Sequence, residues 1–332
     1  MYLQRKSIYE ELEANRHSKV LVYVTGDRPG LETKIASEVY DYFVNQLDRI
    51  GPAPKISLIL YTRGGDTLAA WSIINLIYQF TEDLEVIIPS KCHSAGTLMS
   101  LGAKRIIMTK QATLGPIDPS IEHPLNPMIP GAPPGAKIPV SVEAVEGFIN
   151  FLKSELGFTR RISGDEISRL LSQHIHPIVI GTVYRTKEQI KMLASRLLKN
   201  QIQDRRKTKK IISFLCSDSG SHDYTIHRRE ARDLLGLNIE KPDDTLYSII
   251  KRIYDDIEQE LLLTQKLDPN SLIGAAPVQQ YTFKRCLIET VVGGSYYFSS
   301  EGQMTRQQIQ TPQGLQIGIV DNRTYEGWKY EQ

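Results

Sequence analysis

The chain has 332 residues, with 40 Lys and Arg against 38 Asp and Glu, and a formal net charge of +2. Its 41% hydrophobic and 23% charged residues are typical of a folded globular protein and exclude a disordered or fibrous chain. Affinity for polyanions needs a marked basic surplus, so nucleic acid is not an expected partner.

The cysteines and the apolar runs indicate the compartment. Three scattered cysteines, Cys92, Cys216 and Cys286, are too few for a disulfide framework or a zinc cluster. No apolar run reaches membrane-spanning length, and the first residues carry charges where a signal peptide needs an apolar stretch. The sequence contains no phosphate-binding loop or ligand cluster. We therefore expect a cytoplasmic protein with no membrane segment, no metal and no cofactor.

The first part of the chain is predicted to be α/β. Residues 3–16 form an amphipathic pattern typical of a helix. Short apolar runs then alternate with helical stretches, which indicates a parallel sheet covered on both faces. The predicted strands are 20–25, 57–62, 84–89 and 105–109, and the predicted helices are 32–47, 68–80 and 94–102.

The second part is predicted to be helical and then β-rich. Six prolines between Pro124 and Pro139 indicate a long surface loop. Helices follow up to about residue 216, including a long one over 181–199, and then over 228–235 and 244–263. After residue 269, β-branched and aromatic residues with glycine turns predict a small β appendage, with strands in 283–298 and 315–325.

A glycine pair follows the second predicted strand. In Thr62-Arg-Gly-Gly-Asp-Thr, Gly64 and Gly65 let the backbone approach a ligand closely, with N–H groups available beside a helix start. Such a turn can hold an oxyanion. The alternative is a tight strand-to-helix turn that needs glycine only for its backbone angles, and taken alone this turn favours that alternative.

A serine follows the third predicted strand. Ser94, in Cys92-His93-Ser94-Ala95-Gly96, lies between a strand and a helix, where a developing alkoxide is stabilised by nearby N–H groups. The alternative is a helix N-cap serine. The flanking residues do not spell Gly-x-Ser-x-Gly, which disfavours an α/β-hydrolase. A Cys92–His93 pair is also disfavoured, because neighbours in an extended segment point to opposite faces.

A carboxylate follows the fourth predicted strand. Asp118 lies in Leu114-Gly-Pro-Ile-Asp-Pro119, a rigid, non-helical segment. This setting suits a positioned carboxylate and equally an Asx turn.

A fourth segment belongs with these three: Ser221-His-Asp-Tyr-Thr-Ile-His-Arg-Arg-Glu-Ala-Arg-Asp-Leu-Leu-Gly-Leu237. Together the four segments resemble the ClpP/SppA clan of the crotonase-like fold, and most closely its serine dehydrogenase proteinase family. The resemblance covers about residues 15–240. It implies a spiral of β-β-α units around a parallel sheet, with helical insertions. The domains expected on this basis are an N-terminal helix at 1–18, a catalytic domain at 19–240, and a C-terminal helix with the β appendage at 241–332.

The resemblance also implies roles for individual residues. Ser94 matches the nucleophile, and Gly64 and Gly65 match the oxyanion turn, to which the Ala95 N–H adds a donor. Asp118 occupies the place of the ClpP histidine base, and His222 lies beside the place of the ClpP orienting aspartate. This implies a rearranged triad in which His222 moves the proton and Asp118 orients it.

Two other residues are alternative candidates for the general base. His176, before Pro177, is a second candidate histidine, and either histidine could instead cap a helix or pack in the core. The SppA peptidases use a lysine, and the segment that begins at Lys153 resembles theirs. A lysine serves as a base only where burial lowers its pKa.

The function implied is that of a serine endopeptidase acting on a peptide or protein substrate. By analogy with the clan we expect a homo-oligomer, with a separate unfoldase or adaptor as a possible partner. Two alternatives are an oligomeric peptide-binding scaffold that has lost activity and a crotonase-like acyl-CoA enzyme, whose thioester substrate also needs two oxyanion donors.

Overall fold

The computed structural model describes residues 1–117, 120–131, 135–152, 164–218, 221, 223–311 and 314–332. These residues form two compact units, one made of 1–114 with 227–332 and the other of 115–226. The boundaries expected at 18 and 240 do not coincide with this division.

The helices and strands are as follows. The helices are α1 Tyr2–Arg16, α2 Tyr40–Ile50, α3 Thr67–Ile77, α4 Ala95–Leu101, α5 Val142–Asn150, α6 Gly164–His174, α7 Pro177–Leu198, α8 Arg205–Ser213, α9 Asp244–Leu261 and α10 Pro269–Ile273. The strands are β1 Lys19–Thr25, β2 Ile56–Tyr61, β3 Leu84–Ile88, β4 Lys91–Cys92, β5 Arg105–Met108, β6 Thr113–Leu114, β7 Ser120–Ile121, β8 Val140–Ser141, β9 Ile226–His227, β10 Ile239–Glu240, β11 Val278–Thr290, β12 Gly294–Thr311 and β13 Gly314–Glu331.

The first unit is built on a mixed sheet in the order β10-β5-β3-β2-β1-β11-β12-β13. Strands β1, β2, β3, β5 and β10 are parallel, and β11, β12 and β13 continue the sheet in antiparallel pairing. Strands β2 and β3 are buried along their whole length, which explains their mostly apolar sequences. The α/β class predicted from the sequence is confirmed.

Helices cover both faces of this sheet. On one face, Val22 and Val24 pack with Leu12 of α1 and with Ile250 and Ile253 of α9. Tyr23, whose side chain alternates to the other face, meets Phe43 of α2 edge-on, with ring centroids 5.1 Å apart. Because the strands β1, β2, β3 and β5 are parallel, their carboxyl ends lie along one edge of the helix-covered sheet.

The strand order also shows the expected β-β-α units. β3 lies in the central sheet, and the chain then forms β4 in a separate small sheet before entering α4. β5 and β6 repeat the two-strand part of this step, and β6 pairs in parallel with β4. The turn from a small-sheet strand into α4 is where Ser94 lies.

The C-terminal strands differ from the predicted appendage. They continue the central sheet, because β11 pairs antiparallel with β1 through partners such as Tyr23 and Ile288. The run 283–298, predicted to be β-rich with glycine turns, holds the end of β11, its connection to β12 and the start of β12. A β-rich sequence pattern indicates that a segment forms a strand, but it does not indicate which strand that segment pairs with.

The second unit is mainly helical. Its core joins Val142 and Val145 of α5 to Val179 and Val183 of α7. The long helix predicted at 181–199 begins earlier, because His176 supplies an N-cap and Pro177 opens the first turn.

Within the described residues, no helix combines the length and the apolar character needed to cross a membrane.

Candidate active site

The glycine pair forms a fixed turn between β2 and α3. Gly64 and Gly65 have φ angles of 116° and 144°, in the region that favours glycine. A Cβ on Gly65 would lie only 2.2 Å from the Ile35 carbonyl oxygen. The Ile35 N–H donates to the Gly64 carbonyl at 2.9 Å and Asp66 N–H donates back to Ile35 at 2.8 Å, so the turn is fastened to the neighbouring loop.

Ser94 is held in a strained conformation at the start of α4. Its φ of 52° and ψ of −115° place a residue with a side chain in a region that few such residues occupy. The Ser94 side chain makes no capping hydrogen bond, and within the described residues its Oγ has no hydrogen-bond partner. The N-cap alternative therefore does not account for this serine. A strained serine at a strand-to-helix turn is the arrangement that presents a nucleophilic hydroxyl.

The two turns are in direct contact. A Cβ built on Gly64 would lie 2.7 Å from Ser94 Cβ and 3.1 Å from Ser94 Oγ. Only glycine fits at this position while Ser94 keeps its conformation. The structure thus brings together two sequence-predicted segments whose key residues, Gly64 and Ser94, are 30 positions apart in the chain.

The backbone donors near Ser94 are not equivalent. The Gly64 N–H donates to Thr62 Oγ1 at 3.0 Å, and that hydroxyl also accepts from Thr25 Oγ1 at 2.8 Å. In contrast, the N–H groups of Gly65 and Ala95 make no hydrogen bond within the described residues. The N–H groups of Gly65 and Ala95 thus remain available to an oxyanion. Gly64 instead leaves room for the Ser94 side chain, because it has no Cβ.

The side chains of Cys92 and His93 contact different partners. Burial raises the pKa of the Cys92 thiol to about 12, and its Sγ lies 3.4 Å from Ser100 Oγ. His93 Nε2 lies 2.9 Å from Thr113 Oγ1. A buried thiol that stays protonated is a poor nucleophile, so Cys92 is not a candidate for that role.

The candidates for the base lie in the second unit or outside the described residues. Asp118, Lys153 and His222 fall outside the described residues. His176 is exposed, and its Nδ1 accepts a hydrogen bond from the Ile178 N–H at 3.2 Å, which caps α7. The capping alternative raised for His176 from the sequence thus matches its observed contact.

The sequence did not single out a carboxylate beside the glycine turn. Asp27 lies two residues after the end of β1 and is buried. Its Oδ2 accepts from Tyr61 OH at 2.9 Å and from Lys91 Nζ at 2.6 Å, and its Oδ1 faces Arg63 Nη1 at 3.4 Å. Burial, and then the Asp27 charge, raise the pKa of Tyr61, which therefore stays protonated and donates. The sequence contained a signal for this cluster, because Asp27, Arg63 and Lys91 each follow one of the neighbouring strands β1, β2 and β3.

Among the described residues, no group of three or more His, Cys, Asp or Glu side chains is placed to hold a metal ion.

Comparison with known proteins gives a family match for the first part of the chain. Residues 2–130 match the model of the ClpP-like SDH-type serine proteinase family. This segment includes Gly64, Gly65 and Ser94. Over these residues the match confirms the resemblance stated from the sequence.

Two individual relatives match this chain at low sequence identity. The uncharacterized protein MJ0137 of Methanocaldococcus jannaschii is 27% identical, over 78% of this chain and 82% of its own length. MJ1495, also an uncharacterized protein of that organism, is 26% identical over 70% of each chain.

Solved structures align at low similarity. A mutant of the 1510-N membrane-bound stomatin-specific protease in complex with a substrate peptide aligns over 68% of this chain and 78% of its own, with 16% identity and a TM-score of 0.36. ClpP1 from Listeria monocytogenes aligns over 71% of this chain and 98% of its own, with 16% identity and a TM-score of 0.36.

Proposed function

We propose that this chain, whose residues 2–130 match the ClpP-like SDH-type serine proteinase family, hydrolyses peptide bonds with Ser94 as the nucleophile. The observation that carries the proposal is the strained, uncapped Ser94 packed directly against Gly64. The cost of a strained backbone is of order 1–3 kcal/mol, and such strain persists mainly where function needs it.

The reaction uses the free backbone donors. Ser94 Oγ attacks the carbonyl carbon of the scissile bond, and the carbonyl oxygen becomes an oxyanion that accepts from the Gly65 and Ala95 N–H groups. The amine leaves with a proton, and an acyl group stays on Ser94. A water molecule then attacks this ester, releases the acid and restores the hydroxyl.

Both halves of the reaction need a base that takes a proton and returns it. We assign this role to His222, oriented by Asp118, on the sequence resemblance. Lys153 and His176 are the alternatives, and the capping contact of His176 makes it the weaker of the two. The peptide or protein substrate and the self-association expected from the sequence are part of the same proposal.

Cleavage of a peptide library tests this function. Ser94→Ala is expected to lower turnover by about a thousandfold or more, since removal of the nucleophile leaves only binding and oxyanion stabilisation. The matched control is Ser72→Ala, which removes a half-buried hydroxyl from α3 and should leave turnover within about twofold of wild type. Cleavage by Ser94→Ala at the wild-type rate would exclude this serine as the nucleophile.

The same assay identifies the base. His222→Ala should reduce turnover by about a hundredfold or more, whereas Lys153→Ala should have little effect. The reverse result would replace the triad with a serine–lysine pair.

A further inference from the structure

Two cations lie close in sequence to the residues of the candidate site, and a single buried carboxylate pairs with both. Arg63 precedes Gly64, and Lys91 lies three residues before Ser94. Their side chains are 58% and 42% exposed, whereas the Asp27 side chain that pairs with both is 5% exposed. The cluster contains two positive charges and one negative charge, so it carries one net positive charge.

Strand pairing explains why these cations lie together. Thr62 forms a parallel bridge with Cys92, and the His93 N–H donates to the Thr62 carbonyl at 3.0 Å. Thr62 and Cys92 both face Gly96. Because side chains alternate along extended backbone, Arg63 and Lys91 lie on the opposite face, where Asp27 receives them.

Asp27 does not use up the hydrogen-bonding capacity of these cations. Arg63 meets it through Nη1 alone, at 3.4 Å, and a guanidinium has five N–H donors in a planar fork. Lys91 meets it through Nζ at 2.6 Å, and an ammonium has three donors. The Asp66 carboxylate caps α3, since its Oδ1 accepts from the N–H groups of Leu68 and Ala69.

We propose that Arg63 and Lys91 form a carboxylate-binding subsite beside Ser94, which selects substrates that carry a carboxylate close to the scissile bond. This inference rests on the proposed function, because it assigns a substrate class to the same site. Asp27 is a positioning residue here: it fixes the two cations and leaves their outer donors to the substrate. Arginine suits this role because its fork matches the two oxygens of a carboxylate.

A pair of fluorophosphonate probes tests the subsite without a known substrate. The probes have the same length and differ at the tip, which is a carboxylate in one and a carboxamide in the other. Ser94 Oγ attacks phosphorus, the new P–O bond replaces the P–F bond, fluoride leaves, and the base takes the hydroxyl proton. The measured quantity is the ratio of the two second-order labelling rates.

In the wild-type chain the carboxylate probe should label Ser94 about threefold to tenfold faster, as expected for a partly exposed charge contact. Arg63→Gln and Lys91→Gln should each bring this ratio towards one. The ratio should also fall between about 0.1 M and 1 M salt, since the screening length shortens from roughly 10 Å to 3 Å.

Lys19→Gln is the matched control. Lys19 is 45% exposed, pairs with a carboxylate as Lys91 does, and lies at the amino end of β1, away from the edge that carries the site. Its removal should leave the ratio unchanged. Amidated peptides with an internal glutamate, compared with peptides ending in a free carboxylate, then show which carboxylate the subsite prefers.

The outcomes separate the two proposals. Equal labelling by both probes, or a ratio that Arg63→Gln and Lys91→Gln leave unchanged, would overturn the subsite and leave the serine peptidase proposal intact. Failure of both probes to label folded protein would overturn the peptidase proposal and the subsite with it.

Discussion

Gly64→Ala should reduce the labelling rate of Ser94 by about a hundredfold or more, because a misplacement of reacting groups by about 1 Å is enough for such a loss. The added Cβ would lie 2.7 Å from Ser94 Cβ, a separation that van der Waals contacts forbid. Relief requires the turn or Ser94 to move. The φ of 116° at Gly64 adds strain for any residue with a side chain. The measurement is the rate of fluorophosphonate labelling of the variant at a protein concentration where circular dichroism shows native secondary structure.

Gly30→Ala separates the steric effect from backbone strain. Gly30 also has a positive φ, of 90°, but a Cβ there would meet no atom within 4 Å. This control should lose about 1 kcal/mol of stability and keep the wild-type labelling rate. If Gly64→Ala is folded and labels as fast as wild type, the contact between the two turns has no catalytic role.

Arg5→Gln should lower the free energy of unfolding by about 3–5 kcal/mol, because it leaves the buried Glu289 carboxylate without its cationic partner. Arg5, on α1, is 1% exposed, and it pairs with the fully buried Glu289 of β11 through Nη2 at 2.6 Å and Nε at 3.1 Å. Its Nη1 also bonds to Asp256 and Glu260 of α9. One guanidinium thus joins α1, α9 and the central sheet. Urea unfolding followed by circular dichroism measures the change.

Arg252→Gln is the control for the same helix pair. Arg252 of α9 bonds to Glu11 of α1, and both side chains are 47% exposed. An exposed pair contributes only about 0–1 kcal/mol, so this variant should unfold within 1 kcal/mol of wild type. A similar, small effect of both substitutions would show that the Arg5 cluster does not stabilise the fold.

Local periodicity predicted most of the first unit. The apolar runs of β1, β2, β3 and β5 are fully formed strands, since a strand covered on both faces has a nearly continuous apolar sequence. The helix predicted over 32–47 begins only at Tyr40. Its first residues instead hold Ile35 against Gly65 in a β-bridge, a contact that no local pattern contains.

The site was predictable only in part. Glycine at 64 and 65 and serine at 94 are visible in the sequence because each follows a strand end. Which amides stay free depends on Thr62 Oγ1, which occupies the Gly64 N–H. The choice between a nucleophile and an N-cap depends on the φ of Ser94, which composition does not indicate.

Buried ion pairs were also beyond the sequence, because their partners are far apart along the chain. Glu85 is fully buried and bonds to Arg16 at 2.8 and 2.9 Å. Burial alone would raise the pKa of Glu85, but hydrogen bonds from Arg16 and Ser57 bring it below its ordinary value. This stabilisation is present above the ordinary pKa and is lost as the pH falls through the lowered one.

The most direct test of the central claim, that Ser94 is an activated nucleophile, is to map the fluorophosphonate adduct by peptide mass spectrometry on the folded full chain. We expect one adduct, on Ser94, in the wild type and in Ser72→Ala, and none in Ser94→Ala. An adduct on another serine, or no adduct on protein with native circular dichroism, would contradict this account.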